Sequence, residues 1–193
     1  MTASPAVAEK EFRPLFNGQD LDGWQHVGAG RFMVEGGLLR TEGGMGLLWY
    51  TREKLGNCVI RVVYRTTARA SNSGVFVRIA EQPANPWYAV HHGYEVQIQD
   101  AEDELHRTGA IYSLAPAKGG AAKPAGEWNV MEITLTGPRI VVDLNRIRVT
   151  EFDPSGPVPE RKKIGSRSVG RGLKPDTWVC RTTGANRPCT SRK

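Results

Sequence analysis

The chain has 193 residues, 39% of them hydrophobic, which is enough for one domain with a core and too few for two. Lys and Arg number 26 against 20 Asp and Glu, but the excess is local: 161–193 carries ten basic residues and one acid, Asp176, so the first 160 residues hold 16 basic and 19 acidic groups. With 22 Gly and 12 Pro the composition argues against a helical bundle, no apolar stretch reaches the ~20 residues that span a bilayer, and the first ten residues lack the basic and apolar regions of a signal peptide.

In chain order the candidate strands are 31–41, 46–51, 58–67, 74–80, 94–100, 130–137 and 139–152. Residues 58–67 alternate, with Val59, Arg61, Val63 and Arg65 on one side and Ile60, Val62 and Tyr64 on the other. Residues 131–136 set Met131, Ile133 and Leu135 against Glu132, Thr134 and Thr136. The connectors 72–74, 81–86 and 117–127 are rich in Gly, Pro and Asn, and no helical stripe exceeds about two turns. Many short strands at this spacing predict an all-β antiparallel sandwich or barrel. Trp24 and Trp128, among apolar or strand-like neighbours, are read as core, and Cys58, which opens a strand with no base beside it, as packing. Cys180 and Cys189 have neither CxxC spacing nor a neighbouring His, so the cysteines support no disulfide framework and no zinc site.

The strand 94–100 is the most informative. Tyr94, Val96 and Ile98 make one apolar face, so Glu95, Gln97 and Gln99 line the other. On 74–80, Gly74, Phe76 and Arg78 share a face opposite Val75, Val77 and Ile79, and a common polar surface would bring Arg78 to Glu95 or Gln97. The ordinary alternative is a solvated outer face. A carboxylate, an amide and a guanidinium in one groove suit a polyhydroxylated ligand, the carboxylate as acceptor or general base and the others as directional donors. Trp87 and Tyr88, after the loop 81–86, offer rings for the C–H face of a sugar. His91 and His92 precede Glu95, and Asp100, Glu102, Asp103 and Glu104 follow it; without regular ligand spacing they read as a solvated acidic loop, with a divalent-metal site as the alternative, and no cofactor is expected. There is no GxSxG, P-loop or dinucleotide fingerprint.

Seven segments in order, FRPLFNGQDLDGW, FMVEGGLLRT, NSGVFVR, GYEVQIQD, TGAIY, GEWNVMEITLTG and VVDLNRIRV, resemble the 3-keto-disaccharide hydrolase domain family, long catalogued as a domain of unknown function, over about 12–153. The resemblance implies a concanavalin A-like jelly-roll sandwich, a saccharide site on its concave sheet, frequent export, and a substrate already oxidised at C3. The ketone acidifies the C2 proton, so one base can remove it, the enolate can expel the glycosidic oxygen from C1, and water can add. Carried onto this sequence, Glu95 is the base or proton shuttle, Arg78 the partner of the developing oxyanion, and Gln97, Asn72, Asp100, Tyr112 and Trp87 are the candidate substrate-binding residues. The usual Asn-Gly of the last hairpin is Asn145-Arg146 here.

The domain is expected over 10–160. The segment 161–193 is expected to be a basic, disordered tail outside the resemblance, and the product of a reading-frame shift near residue 163. Codons permitted by Pro175 to Gly184, read in the neighbouring frame, allow the Gly-Tyr-x-Gly-Leu-Gln-Asn-His ending that the resemblance implies. Such a tail would leave a sheet edge unpaired. A non-catalytic glycan-binding module on the same scaffold is the competing reading, since a fold does not dictate a function. The expected partner is an oxidised saccharide, with no nucleic acid and no membrane span, the oligomeric state being open.

Overall fold

The computed structural model describes residues 12–101, 103–157 and 178–185, the last as backbone. Among the described residues, eleven strands and one helix follow in chain order: β1 (Trp24–Gly28), β2 (Arg31–Glu35), β3 (Leu38–Glu42), β4 (Gly46–Tyr50), β5 (Cys58–Thr66), β6 (Asn72–Val77), α1 (Pro86–His92), β7 (Tyr94–Gln99), β8 (Asn129–Thr136), β9 (Arg139–Leu144), β10 (Ile147–Phe152) and β11 (Trp178–Ala185). A seven-stranded antiparallel sheet runs β10-β9-β8-β5-β11-β3-β2, and β6-β7 and β1-β4 form two further pairs.

Alternation builds the core. Met131, Ile133 and Leu135 of β8 and Val62 and Tyr64 of β5 are buried, and they pack in one cluster with Ile140, Val142 and Leu144 of β9 and with Val77, Val96 and Ile98 of the β6-β7 pair. Two sheet faces therefore close on each other as a sandwich. On the opposite side Arg61 and Glu132, cross-strand partners in register, form an ion pair (2.6 Å). Cys58 is buried, as expected. Trp24 and Trp128 are not core residues but half-buried ones, because each finds a local partner at the periphery: Trp24 stacks on Tyr50 and donates its indole N–H to the Leu15 carbonyl (3.2 Å), and Arg65 lies over the Trp128 ring.

Two segments that read as single strands by alternation are hairpins, the second turning where the resemblance puts the last hairpin. Residues 31–41 fold back at Gly36 and Gly37 (φ 56° and 77°), and 139–152 at Asn145 and Arg146 (φ 50° and 72°). Both turn residues have positive φ in each case, the geometry whose twist matches paired strands. Asn145 is well suited: its side chain accepts from Val130 N–H (2.9 Å) and donates to Ala121 O (2.7 Å) and Asn129 Oδ1 (2.8 Å). Arg146 sits in the left-handed region with a Cβ, a cost of about 1–2 kcal/mol. Arg146→Gly is expected to raise stability by about 0.5–1 kcal/mol after the extra unfolded-state entropy of glycine. A urea denaturation midpoint that does not rise, at unchanged slope, would show that the turn carries no such strain.

Strand β11, from the segment set apart by its basic composition, lies between β5 and β3, with Cys180 opposite Tyr64 and Leu39. The β5 edge is thus paired along this stretch. The rest of that segment, including Cys189, lies outside the described residues, as does Glu102 of the acidic cluster.

Candidate active site

The β6-β7 register places Glu95 opposite Phe76, Gln97 opposite Gly74 and Gln99 opposite Asn72, so these residues share the face turned away from the core. On its other edge β7 is extended by 109–112, with Gly109 N–H donating to Gln97 O (2.8 Å) and Tyr112 N–H to Glu95 O (2.9 Å). Gln97 is only 1% exposed. Its Nε2 donates to Asn72 Oδ1 (3.1 Å) and Gln99 Oε1 (2.9 Å), while its own Oε1 is buried without a partner among the described residues. A buried acceptor left unmet costs about 1–3 kcal/mol, and a ligand hydroxyl is the kind of donor that would satisfy it.

The Glu95 carboxylate lies over Gly74, where a Cβ would collide with its Oε1 and Cγ. Desolvation pushes its pKa up from 4.5 to about 7, and among the described residues no cation or hydrogen-bond donor opposes that rise. A carboxyl in this state is poised to take a proton near neutral pH.

Arg78 does not join it. Strand β6 ends at Val77, Arg78 has φ 60°, and its guanidinium donates to the carbonyls of Gly56 (3.3 Å) and Gly137. The alternation that would have aimed Arg78 at Glu95 is broken by that left-handed residue. Arg78 ties the start of β5 to the β8-β9 turn instead. Arg78→Ala is accordingly expected to destabilise the fold by about 1–3 kcal/mol, as loss of charge-assisted hydrogen bonds does, with turnover per folded molecule near wild type. A large fall in turnover at unchanged melting temperature would return Arg78 to the site.

Asp100, just beyond β7, is exposed and ion-paired with Arg69 (3.3 Å). Trp87 is 42% exposed on α1, a helix capped by the Asn85 side chain, rather than on a loop. Among the described residues no hydrogen bond, ion pair or ring contact joins either of them to Glu95. Tyr112 is at the site: 42% exposed, it has its pKa raised by desolvation and then by the Glu95 charge, with the Ser113 hydroxyl working the other way.

Tyr112 also leads to His106 and Ser113, which the sequence did not single out, and to Asp103, which it read as part of a solvated acidic loop. Its ring meets His106 edge-on (centroids 4.7 Å apart), His106 Nδ1 donates to Asp103 Oδ2 (2.5 Å), and His106 Nε2 is 2.9 Å from Ser113 Oγ. The Leu105 N–H, ahead of His106, holds the Asp103 carboxyl below the usual range. The one local signal was the Asp-x-x-His spacing of 103–106. Two surface grooves lie elsewhere, one of about 390 Å³ beside Glu104, Lys118, Arg148 and Glu151, the other of about 230 Å³ beside Arg13, Asp22 and Arg52. Their guanidinium groups are already ion-paired. Among the described residues, no group of three His, Cys, Asp or Glu could hold a metal, and no helix is long and apolar enough to cross a membrane.

The family profile of the 3-keto-alpha-glucoside-1,2-lyase-like domain matches residues 11–174. The chain belongs to this family. Membership makes it a carbohydrate-active domain, and the match ends inside the segment 161–193. Among curated proteins none matches. Among solved structures, a candidate glycosyl hydrolase from Parabacteroides distasonis superposes with TM-score 0.67 at 21% identity over 91% of this chain and 98% of its own. A second candidate glycosyl hydrolase from that organism gives 0.62 at 21% identity over 89% and 87%. A Bacillus subtilis protein of unknown function with a galectin-like fold gives 0.63 at 11% identity over 92% and 97%. At these identities the likeness bears on fold, which is an all-β galectin-like sandwich of the concanavalin A kind.

Proposed function

We propose that the domain cleaves the glycosidic bond of 3-keto-glycosides, with Glu95 as the base. The observation that carries this reading is one desolvated carboxylate, ionising near pH 7, on a face it shares with Gly74, Phe76 and the amides Asn72, Gln97 and Gln99. Ordinary glycosidases need two carboxylates about 5–9.5 Å apart on either side of the bond. A C3 ketone removes that need. Glu95 takes the C2 proton, the electron pair moves into the enolate, the C1–O bond breaks, and water then adds at C1 while Glu95 returns its proton to C2. With Arg78 committed to backbone carbonyls, Tyr112 is the donor available to the enolate oxygen, its raised pKa keeping the O–H intact.

Incubation with a 3-keto-disaccharide should release the free monosaccharide, and the unoxidised disaccharide should be inert. Cleavage of the unoxidised sugar would point to two-carboxylate chemistry. Tight binding of the 3-keto sugar with no turnover would favour a glycan-binding module.

A further inference from the structure

We propose that Ser113, backed by the Asp103–His106 pair, delivers the proton that the departing glycosidic oxygen takes up. This rests on the 3-keto-glycoside reading above, which supplies a base but no acid for the leaving group. The geometry is a continuous chain, Asp103 Oδ2 to His106 Nδ1 at 2.5 Å and His106 Nε2 to Ser113 Oγ at 2.9 Å, and it ends one residue from Tyr112, whose backbone N–H holds Glu95 O. Ser113 is one of four non-glycine residues with positive φ (57°) among the described residues, and strain of that kind gathers at functional positions.

A serine on a histidine on an aspartate also resembles a nucleophile. The backbone argues against that use. The N–H groups of Leu114 and Ala115, which follow Ser113, are both spent on the Ile111 carbonyl (2.8 and 2.9 Å), so they offer no oxyanion site for an acyl intermediate. With a proton on Nε2 as well as on Nδ1, the imidazole would give the Ser113 hydroxyl another use. As the C1–O bond breaks, Ser113 Oγ–H passes its proton to the leaving oxygen and takes the Nε2 proton of His106. When water adds at C1, its proton returns through Ser113 to His106, and Glu95 gives its proton back to C2, so the net change is hydrolysis and every group is restored. Ser113 is the catalytic residue of this step; His106 supplies the proton through it, and Asp103 is a positioning residue that holds Nδ1–H.

The test separates acid from base by leaving group. His106→Gln and Ser113→Ala, each first confirmed folded by circular dichroism and melting temperature, are assayed on a 3-keto-disaccharide, on 4-nitrophenyl 3-keto-glucoside, and for C2 hydrogen exchange in D2O. A sugar alkoxide needs protonation and nitrophenolate does not. In the first turnover, before water adds, both variants are expected to lose about 10²-fold or more on the disaccharide, to stay within about fivefold of wild type in nitrophenolate release, and to keep C2 exchange. Equal losses on the two substrates, or no loss on either, would overturn the relay while leaving Glu95 chemistry intact. A wild-type protein that neither exchanges C2 hydrogen nor cleaves either substrate would sink the 3-keto-glycoside reading, and the relay with it.

Discussion

Glu95→Gln is expected to lower cleavage of a 3-keto-disaccharide by about 10²–10⁴-fold, the usual worth of a general base, with the fold retained. The wild-type rate of C2 hydrogen exchange should rise with pH through about 7, because the ionised form is the base and desolvation holds the group's pKa there. Stability runs the other way. The folded state binds the Glu95 proton more tightly than the unfolded chain, whose pKa is near 4.5, so the favourable contribution is complete below pH 4.5 and is lost as pH rises to about 7. The glutamine carries no charge to desolvate. Above pH 7 it should therefore exceed wild type in stability by roughly 2–4 kcal/mol, at 1.36 kcal/mol per pKa unit, and the two should converge near pH 4. Urea denaturation of both proteins at pH 5 and pH 8 measures this; equal midpoints at both pH values would mean that Glu95 is solvated and not a tuned base. Turnover within about tenfold of wild type would remove it from the base role.

Gly74→Ala tests the same carboxylate from the neighbouring strand. Gly74 lacks positive φ, so its backbone accepts an alanine, but the added Cβ would fall on Oε1 and Cγ of Glu95 and 2.9 Å from Cδ. What must give way is the end of a flexible side chain, and the movement takes the base out of register with the C2 proton. Displacement by about 1 Å can cost 10²-fold in rate. The expected result is a fall of about that size in kcat for 3-keto-disaccharide cleavage, with melting temperature little changed. Wild-type kcat would show that the carboxylate works from elsewhere than over Gly74.

Much of the molecule was legible residue by residue. Met131, Ile133 and Leu135 against Glu132 and Thr134 specified which side of β8 enters the core, and Tyr94, Val96 and Ile98 did the same for β7, leaving Glu95 and Gln97 on the face now proposed as the site. A strand's period of two is a local property, written in consecutive residues, so it survives without knowledge of the partner strands. The same holds for the ordered motifs that placed the chain in its family.

Other features depended on which distant groups met. The sign of φ at Arg78 turned its guanidinium from Glu95 to the carbonyls of Gly56 and Gly137, 22 and 59 residues away in sequence. Gly36 and Gly37 split one apparent strand into two because β2 and β3 pair across them, and β11 entered the sheet from a segment whose composition read as a tail. His106 reached Ser113 only because the 103–113 loop packs along β7, through backbone bonds such as Tyr112 N–H to Glu95 O that no side-chain pattern encodes. Alternation determined the faces of the strands; the hydrogen bonds between remote backbone groups decided which charged and polar side chains share one of them.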